Sequence, residues 1–230
     1  MPDFPRFVPV SDCGLLVEFG EEIGGQAHAA VLALDRALAA APVAGQCEII
    51  PAYVNLMVVF DPLRTDHETV ARALRGRLDH PPQDRAPGRL HEVPICYEGE
   101  DLARDLAELA AATGLAAEDV IARHLSGDYE VHLYGFAPGY AYMAGVPEPI
   151  RLPRKPAPVR GVPAGSVIVA GPQCIVTTLT MPTGWWVLGR SPARILTGDA
   201  ARPFLFDVGD RVRFVRIGRA EYDRLTRQGT

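Results

Sequence analysis

At 230 residues, with 48% hydrophobic and 22% charged side chains, the chain has apolar material for two compact domains and too little charge to stay disordered. Its 23 basic and 28 acidic residues leave a net charge of −5, which argues against nucleic acid as a partner, since nonspecific binding needs clustered positive charge. No apolar run reaches the roughly 20 residues that span a bilayer, and Pro2, Pro5 and Pro9 break up the first ten, so neither a membrane anchor nor a secretory signal is expected and the location is read as cytoplasmic.

Residues 14–19 read as a short strand, and 26–41 carry apolar residues at Ala30, Leu34, Ala37 and Leu38, the spacing of a helix. Residues 48–50 and 54–60 read as two strands joined at Pro51, the second alternating and β-branched. A second helix is expected over 65–78, capped by Thr65 with Glu68 three residues on. This order, with 91–97 as a possible last strand, predicts an α+β N-terminal domain of ferredoxin-like type over residues 1–88. Residues 79–88, with Pro81, Pro82, Pro87 and Gly88, have the composition of a linker.

Beyond it, 101–112 and 118–125 are helical in pattern, with Thr113-Gly114 as the stop between them. From Tyr129 onward, short apolar segments at 131–136, 166–170, 174–179, 185–188, 193–196 and 211–217 alternate with Gly and Pro, which predicts a β-barrel or sandwich over 89–230. A helix over 219–227 closes the chain.

Two loops dense in Pro and Gly stand out, Gly135-Phe136-Ala137-Pro138-Gly139-Tyr140-Ala141-Tyr142 and Arg160-Gly161-Val162-Pro163-Ala164-Gly165-Ser166. Such loops hold one shape without a core of their own and commonly carry binding groups. Near them lie Arg151, Arg154, Lys155 and Arg160, cations without local acids in the sequence, which read either as a solvated basic loop or as a clamp for a carboxylate or phosphate, with Arg154 and Arg160 the preferred pair. Gln173 could offer both ends of its amide to a lactam or ureido group. Trp185 and Trp186 are adjacent, so on a strand only one ring can face a pocket; Arg190 follows four residues later. His124 and His132 are weak candidates for general acid or base, against the structural role such histidines more often fill. Cys13, Cys47, Cys96 and Cys174 form no C-x-x-C pair and read as packed thiols, Cys174 being the one with a loop-like setting that a nucleophile would need; no metal site is expected. Nucleophile elbow, Walker loop and dinucleotide fingerprint are all absent from the sequence.

The series Tyr134-Gly135-Phe136-Ala137-Pro138-Gly139-Tyr140-Ala141-Tyr142, Leu152-Pro153-Arg154-Lys155, Val162-Pro163-Ala164-Gly165-Ser166-Val167, Gly184-Trp185, Leu188-Gly189-Arg190 and Gly209-Asp210-Arg211-Val212-Arg213-Phe214 resembles the allophanate hydrolase subunit 1 family, which includes the B-type subunits of 5-oxoprolinase and Kip-type kinase inhibitors. The resemblance implies an α+β domain joined to a cyclophilin-like β-barrel, and a subunit 2-type partner with a third subunit, the assembly using ATP to open 5-oxoproline to glutamate. On this reading the chain binds no cofactor tightly and is inactive alone. Related paired domains form the carboxyltransferase of biotin-dependent urea carboxylase, and Kip-type relatives inhibit a histidine kinase, which gives two further readings. The expected substrate-binding set is Phe136, Pro138, Tyr140, Arg154, Arg160, Gln173, Trp185 and Arg190. Departures from the family pattern fall beside this set, at Gly139-Tyr140-Ala141-Tyr142, at Gln173-Cys174-Ile175-Val176-Thr177 and at Thr183.

Overall fold

The computed structural model describes residues 4–78 and 88–229, so most of the expected linker at 79–88 lies outside the described residues. The chain divides into two compact units, one within residues 1–86 and one within 87–230.

In the first unit, β1 (Arg6–Val10), β2 (Gly14–Glu18), β3 (Gln46–Pro51) and β4 (Asn55–Phe60) form an antiparallel sheet in the order β1-β2-β4-β3. Leu15, Val17, Leu56, Val58 and Phe60 face Val31, Leu34 and Leu38 of α1 (Gly25–Ala40) and Val70 and Leu74 of α2 (His67–Leu78) in one core. The cap of α2 is Asp66, whose carboxylate accepts the Thr69 N–H at 2.8 Å, and not Thr65 as the sequence pattern suggested. The edge beside β2 is filled by β1, a strand that Pro5 and Pro9 concealed in the sequence; an edge position tolerates proline because one side of the strand needs no ladder donors.

The strand expected to close that sheet belongs instead to the second unit. There, β5 (Leu90–Ile95) pairs in parallel with β13 (Arg211–Arg216). Helices α3 (Leu106–Thr113) and α4 (Ala117–Leu125) follow β5, separated by a left-handed Gly114 at φ 70°. Then come β6 (Tyr129–Tyr134), β7 (Ala141–Ala144), β8 (Val159–Val162), β9 (Ser166–Ala170), β10 (Gln173–Val176), β11 (Met181–Thr183) and β12 (Trp186–Arg190), with α5 (Arg219–Gln228) last. Residues 193–196, expected as a strand, contribute only a single bridge from Leu196 to Phe204.

The seven strands of the main sheet run β12-β9-β10-β7-β6-β13-β5. Its two edges are stitched where Cys96 and Arg190 exchange N–H to carbonyl bonds of 2.9 Å each, so the sheet is a nearly closed mixed barrel. Gly189 makes that closure possible: a Cβ there would stand 2.6 Å from the Cys96 carbonyl oxygen. Val93, Ile95, Val131, Met143, Val167, Val169 and Leu188 fill the interior. Among the described residues no helix is long and apolar enough to cross a membrane.

Candidate functional site

Three neighbouring strands of the barrel are buried on both faces, and the alternation of their side chains builds two separate clusters. Val167, Val169, Cys174, Val176, Trp186 and Leu188 point into the barrel, whereas Ile168, Ala170, Ile175, Trp185 and Val187 join Tyr140 and Val162 in an outer cluster. The two tryptophans therefore face opposite ways, as adjacency on a strand requires. The outer cluster is flanked by the β8–β11 pair and by the Pro/Gly loop that enters β7.

An aromatic cavity of about 180 Å³ opens in this outer cluster, lined by Phe136, Tyr140, Tyr142, Arg154 and Trp185 together with Ile168 and Ile175. Tyr142 meets the Trp185 ring edge-on at 5.9 Å, and the Arg154 guanidinium lies over the same indole at 5.5 Å from its centroid. The Tyr140 hydroxyl is buried without a hydrogen-bond partner among the described residues, a costly condition that a bound ligand would relieve. Burial raises the pKa of both Tyr140 and Tyr142, so each phenol keeps its proton and can donate it in a hydrogen bond.

Phe136 sits at the mouth, 75% exposed and at φ 67°, a left-handed conformation that costs a non-glycine residue energy and marks a constrained loop. The constraint is local and dense. Gly135 N–H donates to the Tyr140 carbonyl at 3.3 Å, Tyr140 N–H to the Ala137 carbonyl at 3.1 Å, and the Thr178 hydroxyl to the Pro138 carbonyl at 2.6 Å. Gly139, at φ 75°, packs so closely on Leu196 that a Cβ would lie 2.7 Å from its Cδ2. Pro138 thus shapes the loop through its carbonyl and does not line the cavity.

Arg154 is presented by a segment anchored on both sides. The Trp186 indole donates to the Pro153 carbonyl at 2.9 Å, and Lys155 N–H donates to the Gly184 carbonyl at 2.7 Å. The Lys155 ammonium, nearly buried, pairs with Asp105 at 2.6 Å and lies 4.7 Å over the Trp186 ring. Asp105 in turn accepts Val187 N–H at 2.8 Å, so helix α3, strand β12 and the Arg154 segment are joined through one carboxylate. The basic loop is therefore not the unmatched cluster that its sequence suggested. Lys155 is neutralised by acids some 50 residues earlier, and Arg151 is spent on the Val146 carbonyl at 2.7 Å.

The rest of the expected set is dispersed. Arg160 is exposed on β8 and is not among the cavity's lining residues, so the pairing with Arg154 is not formed there. Gln173 is half-buried at the start of β10, in register between Ala144 and Ala170. Arg190 lines a different cleft, with Ser191 and Arg194. His124 has no exposed surface: its Nδ1 shares a 2.6 Å hydrogen bond with the Tyr97 hydroxyl, Cys174 Sγ lies 3.9 Å from its Nε2, and burial lowers its pKa to about 3. Enclosed and neutral, it serves the core and not proton transfer. Burial also pushes the Cys174 thiol far up, so no thiolate forms there for nucleophilic attack. His132 is buried on β6. Among the described residues no group of three or more His, Cys, Asp or Glu side chains is placed to hold a metal ion.

Two contributors were missed in the sequence. Tyr142 was legible, because it stands two residues after Tyr140 and strand alternation puts both on one face. Asp105 carried no such signal, since its partner lies 50 residues away.

Residues 5–206 match the family model described as carboxyltransferase domain, subdomain C and D. The B-type subunit of 5-oxoprolinase from Bacillus subtilis (strain 168) is 35% identical over 224 residues, covering 93% of this chain and 93% of that protein. The crystal structure of TTHA0988 is 40% identical with a TM-score of 0.76 over 89% of this chain, and this chain spans only 40% of that longer protein. The K. lactis urea amidolyase superposes with a TM-score of 0.78 over 97% of this chain and 15% of its own length, and at 16% identity that likeness is one of fold alone.

Proposed function

The chain belongs to the carboxyltransferase subdomain C and D family, and from that premise we propose that it is the B-type subunit of a 5-oxoprolinase, opening the lactam of 5-oxoproline to glutamate within an ATP-using assembly. The observation that carries the reading to a site is the cavity in which the unpartnered Tyr140 hydroxyl and the Arg154 guanidinium share aromatic walls. A small ring acid presents the complementary features: a flat face for Trp185, an anionic or carbonyl oxygen for Arg154, and an acceptor for the Tyr140 O–H. A cavity of about 180 Å³ suits a metabolite of that size.

These groups bind, orient and polarise; a nucleophile and an ATP site are assigned to the partners, a subunit 2-type protein and a third subunit. On this reading the barrel is cyclophilin-like, and the substrate site is completed by groups from across the assembly. The match to only part of TTHA0988 supports a neighbouring domain or subunit. The family's carboxyltransferase description favours a second reading, transfer of a carboxyl group from a biotin carrier to a urea-like amide, which avidin would abolish and the first reading's reaction would survive.

The test is ATP-dependent glutamate formation from 5-oxoproline by the assembly purified through this chain, compared with Tyr140→Phe and Arg154→Gln variants. Activity is expected only from the assembly, and each variant should lose about ten- to a hundredfold, the equivalent of one hydrogen bond to a charged or polar group. Wild-type turnover by both variants would remove the cavity from the reaction. Full activity from the isolated chain would sink the multi-subunit reading.

A further inference from the structure

We propose that the cleft beside β12 is a second binding site, one for a small oxyanion, built by Arg190, Arg194 and Ser191 and distinct from the aromatic cavity. The cleft has a volume of about 320 Å³ and carries two guanidinium groups in its lining with no carboxylate among the lining residues, in a chain whose net charge is −5. An unbalanced pair of cations facing one concavity of an acidic protein is an attractive potential for an anion.

The arginine nearest the barrel is held in place before any ligand arrives. Arg190 Nε donates to the Ala164 carbonyl at 2.9 Å, which fixes the guanidinium against the turn that carries Gly165. Gly165 is at φ 83°, and its added Cβ would stand 2.6 Å from the Ser191 carbonyl oxygen, so the close approach itself requires glycine. With Nε committed, the two terminal nitrogens remain, and no carboxylate among the described residues is within ion-pair distance of them. The Asp101 carboxyl is held low first by its 2.9 Å bond to Arg219 and only last by Arg190. A fixed guanidinium with its outer fork unspent is suited to a planar carboxylate or a phosphate.

The other polar groups narrow the choice of contact. Thr177, Thr178 and Thr226 spend their hydroxyl protons on the carbonyls of Pro163, Pro138 and Tyr222. Ser191 differs: its oxygen accepts the Ala193 N–H at 3.1 Å, which leaves the hydroxyl proton for an incoming acceptor. Arg194 is exposed at the cleft and, among the described residues, makes one long bond of 3.3 Å to the Gly229 carbonyl, so it can turn onto an anion without losing a buried partner. Two cations and one O–H donor form a site for oxygen atoms bearing one or two negative charges.

The experiment is a calorimetric titration of the full chain with inorganic phosphate and, separately, with acetate as a carboxylate, repeated on Arg194→Gln, Arg190→Gln and, as a charge control, Arg72→Gln, an exposed arginine of the other unit. Saturable binding of at least one probe is expected, weakened by at least about tenfold in Arg194→Gln and Arg190→Gln and retained in Arg72→Gln. Preference for phosphate would assign the cleft to a phosphoryl group, and preference for acetate to a carboxylate. Arg194 is exposed, so its variant decides the matter even where Arg190→Gln fails to fold. Unchanged affinity in Arg194→Gln, an equal loss in Arg72→Gln, or no saturation by either probe at tens of millimolar would each overturn the proposal.

Discussion

The inside of the barrel and its outer aromatic cluster are made from the same strands, yet they treat polar groups in opposite ways. Inside, His124, Tyr97 and Cys174 are enclosed and bonded to one another, and burial holds His124 and the thiol in their uncharged forms. Outside, Tyr140 is buried but lacks a partner, Arg154 rests on an indole face, and Phe136 is held exposed on a left-handed backbone. Titratable residues in the first region are spent on folding; in the second, the Tyr140 hydroxyl is left with unmet capacity. A histidine or cysteine is therefore a poor guide to chemistry in this molecule, and the unsatisfied phenol is a better one.

The two regions come apart most severely at the link between them. Lys155→Met would leave the Asp105 carboxylate buried without its cation while removing the anchor of the Arg154 segment. Urea unfolding should show a loss of about 3–5 kcal/mol. A loss below about 1 kcal/mol would mean that the pair is solvated and does not bind the Arg154 segment to the barrel.

A smaller effect tests the enclosure of the interior. His124 has its pKa lowered to about 3 by burial, against an ordinary value near 6.5, so the unfolded chain takes up the proton and the folded chain does not. Its contribution is complete above about pH 6.5 and is lost as pH falls toward 3, at a slope of up to about 1.4 kcal/mol per pH unit. Between about pH 6.5 and 5, stability of the native sequence should fall more steeply than that of His124→Gln, which has no proton to gain. Parallel curves would show that the imidazole reaches solvent.

The smallest change should separate folding from function at the outer region. Phe136→Gly removes the cost of a left-handed non-glycine residue and only an exposed ring, so stability should hold or rise by up to about 1 kcal/mol while activity of the assembly falls. Lower stability without loss of activity would make Phe136 a packing residue.

The helices over Gly25–Ala40 and Ala117–Leu125, the strand Ser166–Ala170 and the opposition of Trp185 to Trp186 were legible from periodicity, because alternation and helical spacing are properties of the local backbone. So was the constrained backbone of the 135–142 loop, which its Pro and Gly residues announce. Of the expected set, Phe136, Tyr140, Arg154 and Trp185 line one cavity, whereas Arg160, Gln173 and Arg190 lie elsewhere, since nothing local says which turn of a barrel a loop residue will face. The proline-bearing strand Arg6–Val10 was hidden because propensity alone does not reveal an edge. Tertiary structure decided the rest. The pairing of Leu90–Ile95 with Arg211–Arg216, the closure at Cys96 and Arg190, and the neutralisation of Lys155 by Asp105 all join residues far apart in the chain, where pairing depends on how the whole sheet closes and not on any pattern a short segment can carry.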